Sequence, residues 1–230
     1  MVKIALVFPE LLGTYGDGGN SLVLARRLEW RGIAVSVVEA SMDSRFPEAD
    51  LYLLGGGEDG PQRLAVSLLR ERGFRERVAE GAVVFAVCAG LQILGNRFAI
   101  EGDDEFEGLG LVECVTRRGS RRHVGEIAVR IGEGPDDLVV GFENHGGVTT
   151  LGPGVAPLGR VEAGFGNDGV LDGVKTDHVW GTYAHGPVLA MNPLLADALL
   201  ARVWGEPLAP LVGVADDLHR ARRSVIRPTA

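Results

Sequence analysis

Two cysteines in 230 residues are too few for a disulfide framework, and Cys88 and Cys114 show no metal-ligand spacing. A reducing compartment fits that usage. No apolar run reaches the length of a membrane span, and the opening MVKIALVFPE enters a strand pattern with none of the architecture of a signal peptide. These features predict a cytosolic chain. Positive charge is also scarce: 23 Lys and Arg face 31 Asp and Glu, a formal net charge of −8, which argues against binding a nucleic-acid backbone. The RRGSRR cluster at 117–122 is the local exception. A phosphate-binding P-loop is missing as well. Its nearest imitation, GVLDGVKT at 169–176, has the wrong glycine-to-lysine spacing and no helical pattern after it. Aromatics make up 6%, whereas Gly numbers 34 and 46% of residues are hydrophobic, which suits an α/β protein with many tight turns and ample core.

The first half alternates short apolar strands with helical patterns. Strands are read at 3–8, 33–40, 50–54 and 82–87, and helices at 21–31 and 61–72. This alternation predicts a mostly parallel sheet flanked by helices, with function at the carboxyl ends of its strands. TYGDGGN at 14–20, GGGEDGPQ at 55–62 and the turn at Cys88 should converge there. From residue 108 short strands follow one another at 111–115, 124–131, 138–142, 161–163 and 169–176, expected as antiparallel additions to the same sheet. A further strand at 178–183 ends at His185-Gly186-Pro187. Asn192-Pro193 should cap a helix running to 203, and 216–226 reads as a charged, solvated helix. One domain over 1–230 is expected.

The chemistry centres on GAVVFAVCAGLQILGN at 81–96, which reads strand, sharp turn, helix. A cysteine at such a turn is presented near the positive end of a helix, where an anion is favoured. The competing reading is a small core hydrophobe. Of five histidines, His185 lies at the end of an apolar strand in a Gly-rich turn, and it can approach Cys88 only if their two strands are neighbours. A His so placed would activate the thiol and protonate a leaving amine.

These residues resemble class I glutamine amidotransferase domains of the cobyric acid synthase-like (CobB/CobQ) branch. The resemblance rests on Gly-Gly-Gly at 55–57, VCAGLQILG at 87–95 and YAHGP at 183–187. TYGDGGN, GGGEDGPQ, FENHGG at 142–147 and GTYAHGPVLAMNP at 181–193 narrow it to the glutaminase subunits of lipid II isoglutaminyl synthases. The resemblance implies a flavodoxin-like amidotransferase fold, with Cys88 as nucleophile and His185 as general acid/base. It implies that backbone N–H groups of Gly56 and Ala89 hold the oxyanion, and that Arg122 grips the glutamine α-carboxylate, with Arg121 as the competing position. In one respect the sequence departs from the family. Most members carry an acidic residue two positions after the His, and here Pro187 stands there. Asp17 in TYGDGGN is the candidate to orient His185, the alternative being a plain turn former.

Without a P-loop the chain has no visible means of activating a carboxylate. The resemblance implies that this task falls to a Mur-ligase-like (MurT) subunit using ATP and Mg, in a heterodimer that amidates the D-glutamate of the lipid II stem peptide during peptidoglycan synthesis. Glutamine would be the substrate of this chain, with no cofactor of its own, and the inner membrane face would be reached through lipid II and the partner. The alternatives are a glutaminase for cobyrinate-type amidation and a catalytically silent partner-binding scaffold.

Overall fold

A computed structural model describes residues 1–99 and 105–226. Its first half follows the alternation of the sequence. Strands Val2–Val7 (β1), Val35–Ala40 (β2), Leu51–Leu54 (β3) and Val83–Val87 (β4) alternate with helices Gly19–Glu29 (α1), Asp59–Glu71 (α2) and Phe74–Ala79 (α3), and Ala89–Leu94 (α4) follows Cys88. Short strands Arg97–Ala99 (β5) and Glu105–Glu107 (β6) lead into two long ones, Cys114–Arg130 (β7) and Leu138–Leu151 (β8). Gly159–Ala163 (β9), Leu171–Asp172 (β10), Val174–Lys175 (β11) and Val179–Thr182 (β12) precede helices Val188–Met191 (α5), Pro193–Trp204 (α6) and Val214–Val225 (α7).

The central sheet runs β11-β12-β4-β3-β1-β2, parallel throughout except for the antiparallel edge pair β11–β12. Every residue of β3 and β4 is buried, as strands covered on both faces must be. Helices α1, α5 and α6 pack on one another, and α2 packs on both α3 and α4. Buried Arg27 locks α1 to α6 with a two-pronged ion pair to Asp197 at 2.6 and 2.7 Å. No helix among the described residues is long and apolar enough to cross a membrane.

The second half departs from expectation. Apart from the edge strand β11, which does join the central sheet as expected, its antiparallel strands do not extend that sheet but form a second one, β10-β9-β7-β5-β6, with β8 pairing β7. Strand periodicity identifies a strand without identifying its neighbour. The strands read at 111–115 and 124–131 are two ends of the single strand β7, which passes through the Arg-rich cluster because its charged side chains lie on exposed positions. Between Arg118 and His123 the pairing with β8 shifts register, and the intervening residues bulge from the ladder. The strand read at 169–176 is broken at Gly173, whose φ of 64° suits glycine. A Cβ there would run into the carbonyl oxygen of Gly181, so this residue lets the chain cross from the second sheet to the first. Asn192 precedes α6 as expected but makes no side-chain cap. Its amide bonds the backbone of Val140 through both of its ends, at 2.8 and 2.7 Å, tying α6 to β8.

Candidate active site

Cys88 sits between β4 and α4 with φ 51° and ψ −109°, a left-handed conformation that costs a non-glycine residue about 1–3 kcal/mol. Such strain places the side chain at the end of its strand. The thiol-bearing residue is 5% exposed, and its N–H donates to the Thr182 carbonyl at 2.9 Å, which binds the elbow to the end of β12. Since β4 and β12 are parallel neighbours, with Val87 opposite Thr182, the chain leaving β12 brings His185 to the same end of the sheet. Reciprocal backbone bonds to Phe142, of 2.7 and 3.3 Å, hold His185 from the β8 side.

Asp17 arrives from the loop after β1. Its Oδ2 accepts a hydrogen bond from His185 Nδ1 at 2.9 Å, and both side chains are 1% exposed. Burial alone lowers the imidazole pKa, but bonding to Asp17 and the neighbouring Cys88 outweigh it, and the net is a rise to about 9. The second nitrogen, Nε2, is buried without a hydrogen-bond partner among the described residues. An imidazolium fixed at one nitrogen by a carboxylate, with the other beside a sulfur, can hand a proton to a leaving group.

Gly56 stands elsewhere than the resemblance implied. Its N–H donates to Asp17 Oδ2 at 2.9 Å and is therefore committed to the carboxylate rather than offered to an oxyanion. The residue must still be glycine, because a Cβ would sit 2.6 Å from His185 Cε1. Gly57, the next residue, lines the cleft instead. Ala89 occupies the first position of α4, directly after Cys88.

The cleft over Cys88 encloses about 230 Å³ and includes Tyr15, Glu58, Arg121, Arg122 and Asn144 in its walls. The bulge of β7 delivers the two arginines. Arg122 is anchored, its Nε donating to Asn144 Oδ1 at 2.6 Å and its Nη2 to Tyr15 Oη at 3.1 Å. Arg121 makes no hydrogen bond or ion pair among the described residues.

Two acidic residues escaped the sequence reading. Asp172, fully buried, accepts from Thr182 Oγ1 at 2.6 Å and Tyr183 N–H at 3.1 Å, and so fixes the segment that carries His185. Burial pushes its carboxyl up to about 6 against those bonds. Glu143 accepts the N–H groups of Phe165 and Gly166 and faces His145 Nε2 at 3.3 Å. The other nitrogen of His145 faces the Gly147 carbonyl at 3.0 Å, so both ring nitrogens of this buried, cleft-lining histidine meet acceptors. FENHGG, expected as a loop at the active-site edge or facing a partner, lies within strand β8, and its pattern did not announce this pairing. Among the described residues no group of three or more His, Cys, Asp or Glu is arranged to hold a metal.

Residues 3–193 match the CobB/CobQ-like glutamine amidotransferase domain. The chain belongs to this family. The amidotransferase is 34% identical over 210 residues to the lipid II isoglutaminyl synthase (glutamine-hydrolyzing) subunit GatD of Staphylococcus aureus, spanning 87% of this chain and 85% of that one. It is also 36% identical over 135 residues to a probable cobyric acid synthase of Methanothermobacter thermautotrophicus, but there the match spans 51% of this chain and only 27% of the relative. A crystal structure of a glutamine amidotransferase shares the fold, with a TM-score of 0.59 at 24% identity over 87% of this chain and 98% of the other. The family fold is thus a parallel sheet with antiparallel strands added, as the sequence implied, although most of the additions lie in a second sheet.

Proposed function

We propose that this amidotransferase is the glutaminase subunit of a lipid II isoglutaminyl synthase. The observation that carries the chemistry is the convergence of Cys88, His185 and Asp17 at the carboxyl ends of β4, β12 and β1. Likeness to GatD over most of both chains carries the choice of pathway. In the first half-reaction the Cys88 thiolate attacks the side-chain carbonyl carbon of glutamine, forming a C–S bond while the carbonyl electron pair moves onto oxygen. N–H groups of Ala89 and Gly57 are the donors for that oxyanion. Collapse breaks the C–N bond, and His185 gives its proton to the departing amide nitrogen, releasing ammonia. Water then adds to the thioester, losing a proton to His185, and expels the thiolate with glutamate as product.

Free ammonia is mostly protonated near neutral pH, so it is best made beside its acceptor. The acceptor belongs to a Mur-ligase-like MurT partner, which uses ATP and Mg to activate the α-carboxylate of the D-glutamate in lipid II. The partner and lipid II bring this cytoplasmic subunit to the inner membrane face. A cobyrinate-type role is the weaker alternative, because cobyric acid synthase relatives are matched over only a fraction of their length.

The test is glutamate release from amide-15N glutamine by the chain alone and co-expressed with the Mur-ligase-like subunit. The expected result is release stimulated by the partner, with label entering the stem-peptide amide when ATP, Mg and lipid II are supplied. No glutamate in either preparation would leave a silent scaffold, and label that never enters lipid II would remove the proposed acceptor. In the same assay Arg122→Ala should raise the glutamine KM by about tenfold or more, the order expected for losing a charged hydrogen bond, with a smaller effect on kcat. An unchanged KM would transfer the carboxylate role to Arg121.

A further inference from the structure

Glu58 has no structural task that the fold explains. It precedes α2 without a side-chain cap, its carboxylate is exposed in the cleft over Cys88, and no Arg or Lys pairs with it among the described residues. Among the described residues its carboxylate accepts one hydrogen bond, from Tyr15 Oη at 3.3 Å, and the same phenol oxygen accepts from Arg122 Nη2 at 3.1 Å. A single phenol thus stands between a carboxylate and a guanidinium, in contact with both and keeping them from neutralising each other.

That arrangement is the electrostatic inverse of an α-amino acid head, which carries an ammonium and a carboxylate on one carbon. We propose that Glu58 is the receptor for the α-ammonium group of glutamine, set by Tyr15 beside the Arg122 receptor for the α-carboxylate. The inference rests on the glutaminase reading and extends it, since it makes Glu58 the residue that selects α-amino acids over simple carboxylic amides. Tyr15 also sets the distance to the chemistry, its ring lying 4.7 Å from that of His185. Burial, followed by the charge of Glu58, raises the phenol pKa, so Tyr15 keeps the proton it donates. Asn144 holds the guanidinium in place from the other side.

The test compares L-glutamine with glutaramic acid, which has the same amide and carboxylate but hydrogen in place of the ammonium. Wild type and Glu58→Gln are assayed as complexes with the ligase-like partner. For glutamine, Glu58→Gln should raise KM by about 10- to 100-fold, as expected for a charge-assisted contact, with kcat little changed. For glutaramic acid kcat/KM should stay the same, so the wild-type preference for glutamine collapses. Equal losses on both substrates would show a merely structural role and overturn the proposal, as would an unchanged glutamine KM. Wild type that releases no glutamate would instead overturn the glutaminase reading, and this inference with it.

Discussion

Cys88→Ala is expected to reduce glutamine hydrolysis by roughly 10⁴-fold or more, the scale seen when a covalent nucleophile is removed. The same complex supplied with ammonium salt should still amidate its acceptor at the wild-type rate. The split follows from geometry. Cys88 is packed between β4 and α4, its N–H held by Thr182, and alanine preserves the backbone and its neighbours. Only the sulfur is lost. The left-handed φ of 51° stays equally strained for alanine, so the thermal midpoint should hardly move. Paired assays of glutamine- and ammonia-dependent amidation decide the matter. Loss of both would mean that Cys88 supports the fold or the interface, not the chemistry.

Asp17→Asn should have the second largest effect. Oδ2 of Asp17 receives both His185 Nδ1 and the Gly56 N–H, and the negative charge behind that oxygen helps hold the imidazole proton. An asparagine oxygen still accepts but brings no charge, and in hydrolases built on an acid–histidine pair such a change costs on the order of 10³- to 10⁴-fold in kcat. A shift in pH dependence should accompany the loss. In the proposed mechanism His185 must be protonated to release ammonia, so kcat/KM should hold up to its pKa of about 9 and fall above it. In Asp17→Asn that alkaline limb should move to lower pH. Stability follows the same sign: the folded pKa lies above the ordinary 6.5, so this contribution is complete below pH 6.5 and is lost as pH rises through about 9. A variant with near-normal kcat and an unmoved limb would reduce Asp17 to a turn former.

How much of this was legible depended on how local the signal was. The strand, turn and helix around Cys88 are written in adjacent residues, and the alternation of the first half gave the parallel sheet. The approach of His185 to Cys88 could be stated only as a condition, adjacency of two strands, which β4 and β12 meet. Asp17 was marked by its place after the first strand, but its distance from the imidazole depends on the whole sheet. The second sheet was not legible, because alternation marks a strand and leaves its partner open. The run through β7 was hidden by its arginines, which interrupt the apolar pattern, and by the bulge after Arg118, beyond which pairing with β8 resumes at His123. The commitment of the Gly56 N–H to Asp17 depends on two loops that meet only in three dimensions, whereas Glu143 and His145 stand two residues apart on β8 and pair because both point to one face of it, which showed only once that strand was known.

The Asp17–His185 bond spans 168 positions of sequence, and between the strands that deliver its two ends the central sheet interposes β3 and β4. Closing so long a loop comes late in folding, since its entropy is offset only once the intervening contacts exist. A chain emerging from the ribosome therefore carries its cysteine for a long interval before it can hydrolyse anything. By the proposed mechanism, glutamine is spared until β12 has docked against β4.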